Sequence, residues 1–138
     1  MTALAKPRLI SERHGRKRRL LVAASTVVWQ GAMVTLTGVG AAAKLTPATL
    51  ATGLRIIGVA VSTGDNRIAQ SDPVYAEYEA GVFLLNNDAG DPITVADIGA
   101  ACYVTDDNTV SKTSASNTKS QAGTVFDVDS SGVWVKVG

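Results

Sequence analysis

Thr124-Val125-Phe126-Asp127-Val128-Asp129-Ser130-Ser131-Gly132-Val133-Trp134-Val135-Lys136-Val137 reads as a β-hairpin. Thr124 to Val128 runs out, Asp129 to Gly132 supplies the turn, and Val133 to Val137 returns. β-Branched and aromatic residues fill both arms, while Asp, Ser and Gly fill the turn. The same stretch opens like a calcium loop, with Asp127 to Gly132 matching D-x-D-x-S-G. The twelfth position, where such a loop needs a bidentate acid, is Gly138, and Trp134 and Val135 suit a returning strand better than a loop. A hairpin turn is expected there.

The same grammar continues upstream. Val27-Val28-Trp29 approaches a turn at Gln30-Gly31, and Met33 to Leu36 follows. Gly38, Gly40 and Ala41 to Ala43 make a loose connection, and Pro47 to Gly53 a loop or short helical turn. Leu54 to Thr63 alternates with apolar residues on both faces, as in a central strand: Ile57, Val59 and Val61 on one side, Ile56, Gly58 and Ala60 on the other. Gly64-Asp65-Asn66 reads as a turn into an exposed loop over 65–73. Val74 to Leu85 reads as one long strand, with Val74, Ala76, Tyr78 and Ala80 on one face and Tyr75, Glu77 and Glu79 on the other. Gly81 marks a bulge, because the apolar phase changes there.

Asn86 to Asp91 is a turn cluster. Thr94 caps a short helical turn that ends at Gly99. Cys102 to Val104 is a strand, Asp106 to Asn108 a turn, and 111–121 a polar loop. Seven or eight short strands in 138 residues, 46% apolar and 18% charged, predict an all-β barrel or sandwich. A chain of this size buries roughly two thirds of its unfolded surface and needs no cross-links.

Charge is distributed very unevenly. Lys6, Arg8, Arg13, Arg16, Lys17, Arg18 and Arg19 stand against Glu12 alone, a net +6, whereas the remainder carries six basic and eleven acidic residues, a net −5. Residues 1–19 therefore read as an extended basic arm, which Pro7 and Gly15 keep from forming a continuous helix, and 20–138 as a single β-rich body. A basic arm on a mildly acidic body is expected to serve a partner. The arm also imitates a signal peptide: a basic stretch precedes Leu20 to Ala24, and Ala41 to Ala43 resembles a cleavage site. Ser25, Thr26, Gln30 and Gly31 interrupt the apolar run, which is too short and polar to span a membrane. The segment is expected to be retained, with a cleaved leader on an exported β-protein as a rival.

Little in the chain suggests chemistry. One cysteine, Cys102, forms no internal disulfide and suits a reducing compartment. The only histidine, His14, lies in the arm, so neither a zinc cluster nor a Ser-His-Asp set can be assembled, and Cys102 has no base beside it. Glu77 and Glu79 share a strand face, which a solvated edge explains better than paired acid–base catalysis. No phosphate loop or dinucleotide fingerprint occurs. No enzymatic activity, metal or cofactor is expected. Arg16-Lys17-Arg18-Arg19 can neutralise phosphates, so a nucleic-acid-binding small β-barrel with a basic tail is the alternative. The body lacks a cluster of aromatic residues on which bases would stack, and that disfavours it.

Several segments, in order, resemble the capsid cement (head decoration) proteins of tailed bacteriophages. They are Leu21 to Ala24, Trp29 to Val34, Ala51 to Arg55, Ile57 to Ala60, Asp65-Asn66, Ala80 to Phe83, Ile93 to Gly99, Cys102 to Val104, Asp106 to Val110, Ala122 to Asp129 and Gly132 to Val135. Each is a turn plus a strand, and the weight lies in their order and spacing; the arm is more basic than that pattern. The resemblance implies a β-tulip or small β-barrel body and a non-enzymatic structural role. It implies a place on the outer surface of the virion capsid, assembled in the bacterial host cytoplasm, where the protein bridges neighbouring major capsid subunits. It further implies a homo-oligomer, with a trimer favoured, and an arm that orders on the shell. Lys6, Arg8, Arg13, Arg16, Lys17, Arg18 and Arg19 are then the expected capsid-binding residues; membrane and nucleic acid are not expected partners.

Overall fold

The computed structural model describes residues 15–138. Its strands are β1 (Lys17–Leu21), β2 (Thr26–Val28), β3 (Met33–Thr37), β4 (Lys44–Pro47), β5 (Gly58–Ala60), β6 (Gly64–Asn66), β7 (Tyr75–Glu79), β8 (Gly81–Asn87), β9 (Ala101–Val104), β10 (Thr109–Ser111), β11 (Gln121–Asp129) and β12 (Gly132–Val137). Two 3-10 helical turns, Gly40–Ala42 and Val95–Asp97, complete it. The protein is all-β. No helix among the described residues is long and apolar enough to cross a membrane.

The second half closes into a barrel of order β10-β8-β12-β11-β9. β10 closes it, pairing antiparallel with β9 and parallel with β8. The first half forms a five-stranded sheet, β1-β7-β5-β3-β4. This sheet is rolled: beyond β1, Val22 bridges Leu45 in β4, and the Ala23 amide donates to the Leu45 carbonyl at 2.9 Å. The β2–β6 ribbon lies alongside, and Asn66 Nδ2 donates to the Val22 and Ala23 carbonyls at 3.1 and 3.2 Å.

Each half has its own core. Val104, Val110, Val125, Val133, Val135, Val137 and Cys102 fill the barrel. Val22, Val28, Val34, Leu45, Ala60, Ala76 and Tyr78 fill the rolled sheet. β3 and β5 form the wall between them. Met33, Ile56 and Val59 face the barrel core, whereas Val34, Ile57 and Ala60 face the other. The buried polar groups are paired: Thr35 Oγ1 donates to the Arg55 carbonyl at 2.7 Å, and Ser120 Oγ donates to the Ala51 carbonyl at 2.6 Å while accepting from the Leu54 amide at 2.9 Å.

Several expectations change against this frame. Twelve strands replace seven or eight: β6 and β10 span only three residues each, too few to show a period, β1 begins within the basic arm, β4 falls between the loose connection and the Pro47 loop, and the long strand over Val74 to Leu85 is two. Of Leu54 to Thr63 only Gly58–Ala60 is a strand. Apolar residues do leave on two sides, but not with the expected alternation: Ile56 and Val59 enter the barrel core and Ile57 and Ala60 the other, because 54–57 is an irregular connector and not a continuous strand. The turn expected at Gly64-Asp65-Asn66 is β6; a Cβ at Gly64 would lie 2.7 Å from the Tyr75 carbonyl oxygen, so this glycine permits close packing. The strand expected over Val74 to Leu85 splits at Ala80 into β7 and β8, and Gly81 is the joint between sheet and barrel, not a bulge within one ladder. The body also begins before Leu20, since Lys17 to Arg19 already belong to β1.

Other expectations hold. The Trp29 carbonyl accepts from the Ala32 amide at 3.1 Å across the Gln30-Gly31 turn. Asp97 accepts from the Thr94 amide at 2.8 Å and closes the short helical turn. The terminal hairpin turns at Asp129, whose carboxylate accepts from the Ser131 amide at 2.7 Å and from Trp134 Nε1 at 2.9 Å. Those bonds commit Asp129 to the hairpin.

The polar loop over 112–120 is pinned by carboxylates. Asp91 accepts from Thr113 Oγ1 at 2.7 Å and from the Thr113 amide at 2.9 Å, bonds that hold its pKa below the usual carboxylate range. Asp88, held low chiefly by the Gly90 amide and then by Thr105, lies 3.6 Å from Lys119 Nζ, which also donates to Thr105 and Ser111. Asp107 is shifted upward by burial and by Asp106, with the opposite sign.

Two outcomes follow. A Cβ at Gly123 would collide with the Lys136 carbonyl oxygen and lie 3.0 Å from Val135 Cγ1. Gly123→Ala is therefore expected to cost about 1–3 kcal/mol of overpacking, measured by urea unfolding. The depressed pKa values of Asp88 and Asp91 contribute stability that is present above their unfolded pKa of about 3.9 and lost as pH falls through their lower folded values. The melting temperature should accordingly fall as pH drops below about 4, and Asp91→Asn should make that acid limb shallower.

Candidate functional site: the basic edge strand

Strand β1 ends one side of its sheet. It runs antiparallel to β7, with Lys17 opposite Glu79, Arg18 opposite Tyr78 and Arg19 opposite Glu77. The Arg16 carbonyl accepts from the Ala80 amide at 3.1 Å, and the Val22 amide donates to the Val74 carbonyl at 2.9 Å. By the two-residue period of an antiparallel ladder, the backbone groups of even-numbered residues face β7. Those of Lys17 and Arg19 face the open side, where no strand pairs among the described residues. The sheet thus presents a short free edge carrying positive side chains. Lysine and arginine on an edge discourage indiscriminate pairing while leaving it usable by an acidic partner.

The four described basic residues divide by face. Lys17 and Arg19 project with Tyr75, Glu77 and Glu79. Lys17 Nζ lies 3.0 Å from Glu77 Oε2, and the Arg19 guanidinium sits 3.8 Å from the Tyr75 ring centroid. Both cations are therefore engaged locally, Lys17 by Glu77 and Arg19 by the Tyr75 ring. Arg16 and Arg18 are exposed and make no ion pair among the described residues. Lys6, Arg8 and Arg13 of the expected set lie outside the described residues.

Two further cations, Arg55 from the connector and Lys136 from β12, line the grooves beside Arg16 and Arg18. Neither stands out in the sequence, because each is a lone charge among apolar neighbours. Only the topology brings them together.

Cys102 is fully buried in the barrel, with its Sγ 3.7 Å from the Gly123 carbonyl oxygen, and burial pushes its pKa up to about 12. It is a protonated core residue at neutral pH, without the thiolate that nucleophilic chemistry needs. Among the described residues no group of three or more His, Cys, Asp or Glu is disposed to hold a metal ion.

The exposed position of these side chains makes them dispensable for folding. Replacing Arg16, Lys17 and Arg18 by Ala is expected to cost less than about 1 kcal/mol per position in urea unfolding, the range of solvent-exposed ion pairs. The chain matches no protein-family model, no curated protein and no solved structure.

Proposed function

We propose that this protein is a capsid cement protein of a tailed bacteriophage. In this reading it binds the outer surface of the head, bridges neighbouring major capsid subunits and stabilises the shell, without enzymatic activity or cofactor. The observation that carries the reading is the free, basic edge of β1 on a compact β body. A rigid body covers surface, while an edge strand continuous with a basic N-terminal segment ties it to a neighbour. Repetition over a shell adds avidity to each modest contact. The order of turn-and-strand segments resembling cement proteins supports the same role, and with it a homo-oligomer, a trimer being favoured.

Nucleic-acid binding is the second reading, favoured by the unpaired Arg16 and Arg18. Against it, Tyr75 on the basic strand is covered by Arg19, and exposed Trp29 lies 5.4 Å below the guanidinium of Arg67. Neither ring stands free beside the arginines for base stacking.

The test is occupancy on capsids assembled without this protein. Saturable, stoichiometric decoration by the intact chain is expected. Removing residues 2–14 should weaken it, and so should Arg16→Glu with Arg18→Glu, while the far-UV spectrum is preserved. Failure of the intact chain to decorate such capsids overturns the reading, and undiminished decoration by both variants removes the basic segment from it.

A further inference from the structure

Two grooves meet where the rolled sheet joins the barrel. One, of about 360 Å³, is lined by Arg16, Arg18 and Arg55 above a floor that includes Ile56, Ile57 and Tyr78. The other, of about 600 Å³, continues from Arg55 past Ala122 and Gly123 to Lys136. They share Arg55, Ile56 and Gly138, so they adjoin, and the pair is termed the channel. Gly138 is wedged at the junction: a Cβ there would lie 2.6 Å from the Ala80 Cβ and 2.8 Å from the Ile57 carbonyl oxygen.

No acidic side chain lines either groove. Arg16, Arg18, Arg55 and Lys136 take part in none of the ion pairs among the described residues. Four cations therefore gather where no acidic side chain lines the grooves, in a molecule whose net charge is only +1. Cations gathered without counter-charges repel one another, and an anionic occupant relieves that repulsion.

The shape and floor select the occupant. Aliphatic Ile56, Ile57 and Ala122 and the glycines along the rim leave room for backbone and small apolar side chains. The one ring, Tyr78, is buried to 6% exposure and offers no face to a base. An extended polypeptide places side chains alternately on two sides, so one strand can set carboxylates toward the arginines and small apolar groups on the floor. The chain's own residues 1–14 carry Lys6, Arg8 and Arg13 against Glu12 and have the wrong sign.

We infer that the channel formed by Arg16, Arg18, Arg55 and Lys136 is a docking site for an extended acidic segment of a partner protein, one that alternates carboxylate and small apolar residues. This goes beyond the capsid reading, since it rests on the channel and its charge, and its test needs no capsid.

The test is fluorescence anisotropy of the intact protein with a labelled peptide of alternating Glu and Val. A Lys-Val peptide and a single-stranded oligothymidylate of similar length serve as comparisons. The Glu-Val peptide should bind, weaken about tenfold as salt rises from about 50 to about 200 mM, and bind better than either comparison. Arg18→Glu with Arg55→Glu should abolish the binding, and the milder Arg18→Gln with Arg55→Gln should weaken it several-fold. Lys112→Glu, at a cation paired with Asp97 outside the channel, should leave it unchanged. Circular dichroism confirms that each variant is folded. Absence of Glu-Val binding at low salt, equal binding by both channel variants, or tighter arginine-dependent binding of the oligonucleotide would each overturn the inference. Capsid decoration without peptide binding would overturn it too, while leaving the cement reading standing.

Discussion

The wall formed by β3 and β5 governs the rest of the molecule. Apolar side chains leave both faces of this wall, Met33 and Val59 toward the barrel, Val34 and Ala60 toward the rolled sheet. A wall apolar on both sides has no polar face to punish a slipped register. Other devices must fix it. Gly58 lies against the backbone of Glu79 where no Cβ would fit, and the buried hydroxyl of Thr35 is matched to the Arg55 carbonyl at 2.7 Å. The Met33 amide reaches across to the Asp107 carbonyl at 2.7 Å, coupling the wall to the barrel's loops. With the register fixed, both cores form, and the joint at Gly81 and the connector at 51–57 follow.

What the sequence made legible divides along the same line. The terminal hairpin, the alternation of Tyr75, Glu77 and Glu79 with Ala76 and Tyr78, and the capped turn at Thr94 are local features, and local chemistry predicts them. The apolar pattern around Leu54 to Thr63 was legible as two-faced, but a strand buried between two layers and a connector feeding two cores carry the same pattern. Gly64 and Gly81 look like punctuation in one dimension; in three they are a close approach and a passage from sheet to barrel. Pairings such as β1 with β7 leave no trace in either partner alone. The basic stretch was visible as a candidate site, but not that Lys17 and Arg19 are engaged, that Arg16 and Arg18 are not, or that Arg55 and Lys136 join them.

This division matters for function. A run of four cations reads as uniform charge, whereas a strand sorts it by parity. Odd positions meet Glu77 and Tyr75, and even positions point toward the junction of the two halves. The ladder thus converts a nonspecific feature into two surfaces. One is neutralised and contributes modestly to holding the edge strand down; the other is left with its charge unspent. The joint at Gly81, with a virtual Cβ 3.6 Å from Arg16 Nη2, lies beneath the second.

The pairing of β1 with β7 also bears on how the molecule assembles. Lys17 and Glu79 are sixty-two positions apart in the chain. Along Lys17 to Leu21 its only strand partner among the described residues is β7, and its Leu20 and Leu21 are half-buried; just beyond, Val22 bridges Leu45 in β4. Closing so long a loop is entropically costly, and burial of Leu20 and Val22 in the core of the rolled sheet offsets that cost. The basic strand is therefore fastened at its apolar end, where Val22 meets Leu45, while its cationic end, Lys17 to Arg19, keeps one backbone side without a strand partner among the described residues.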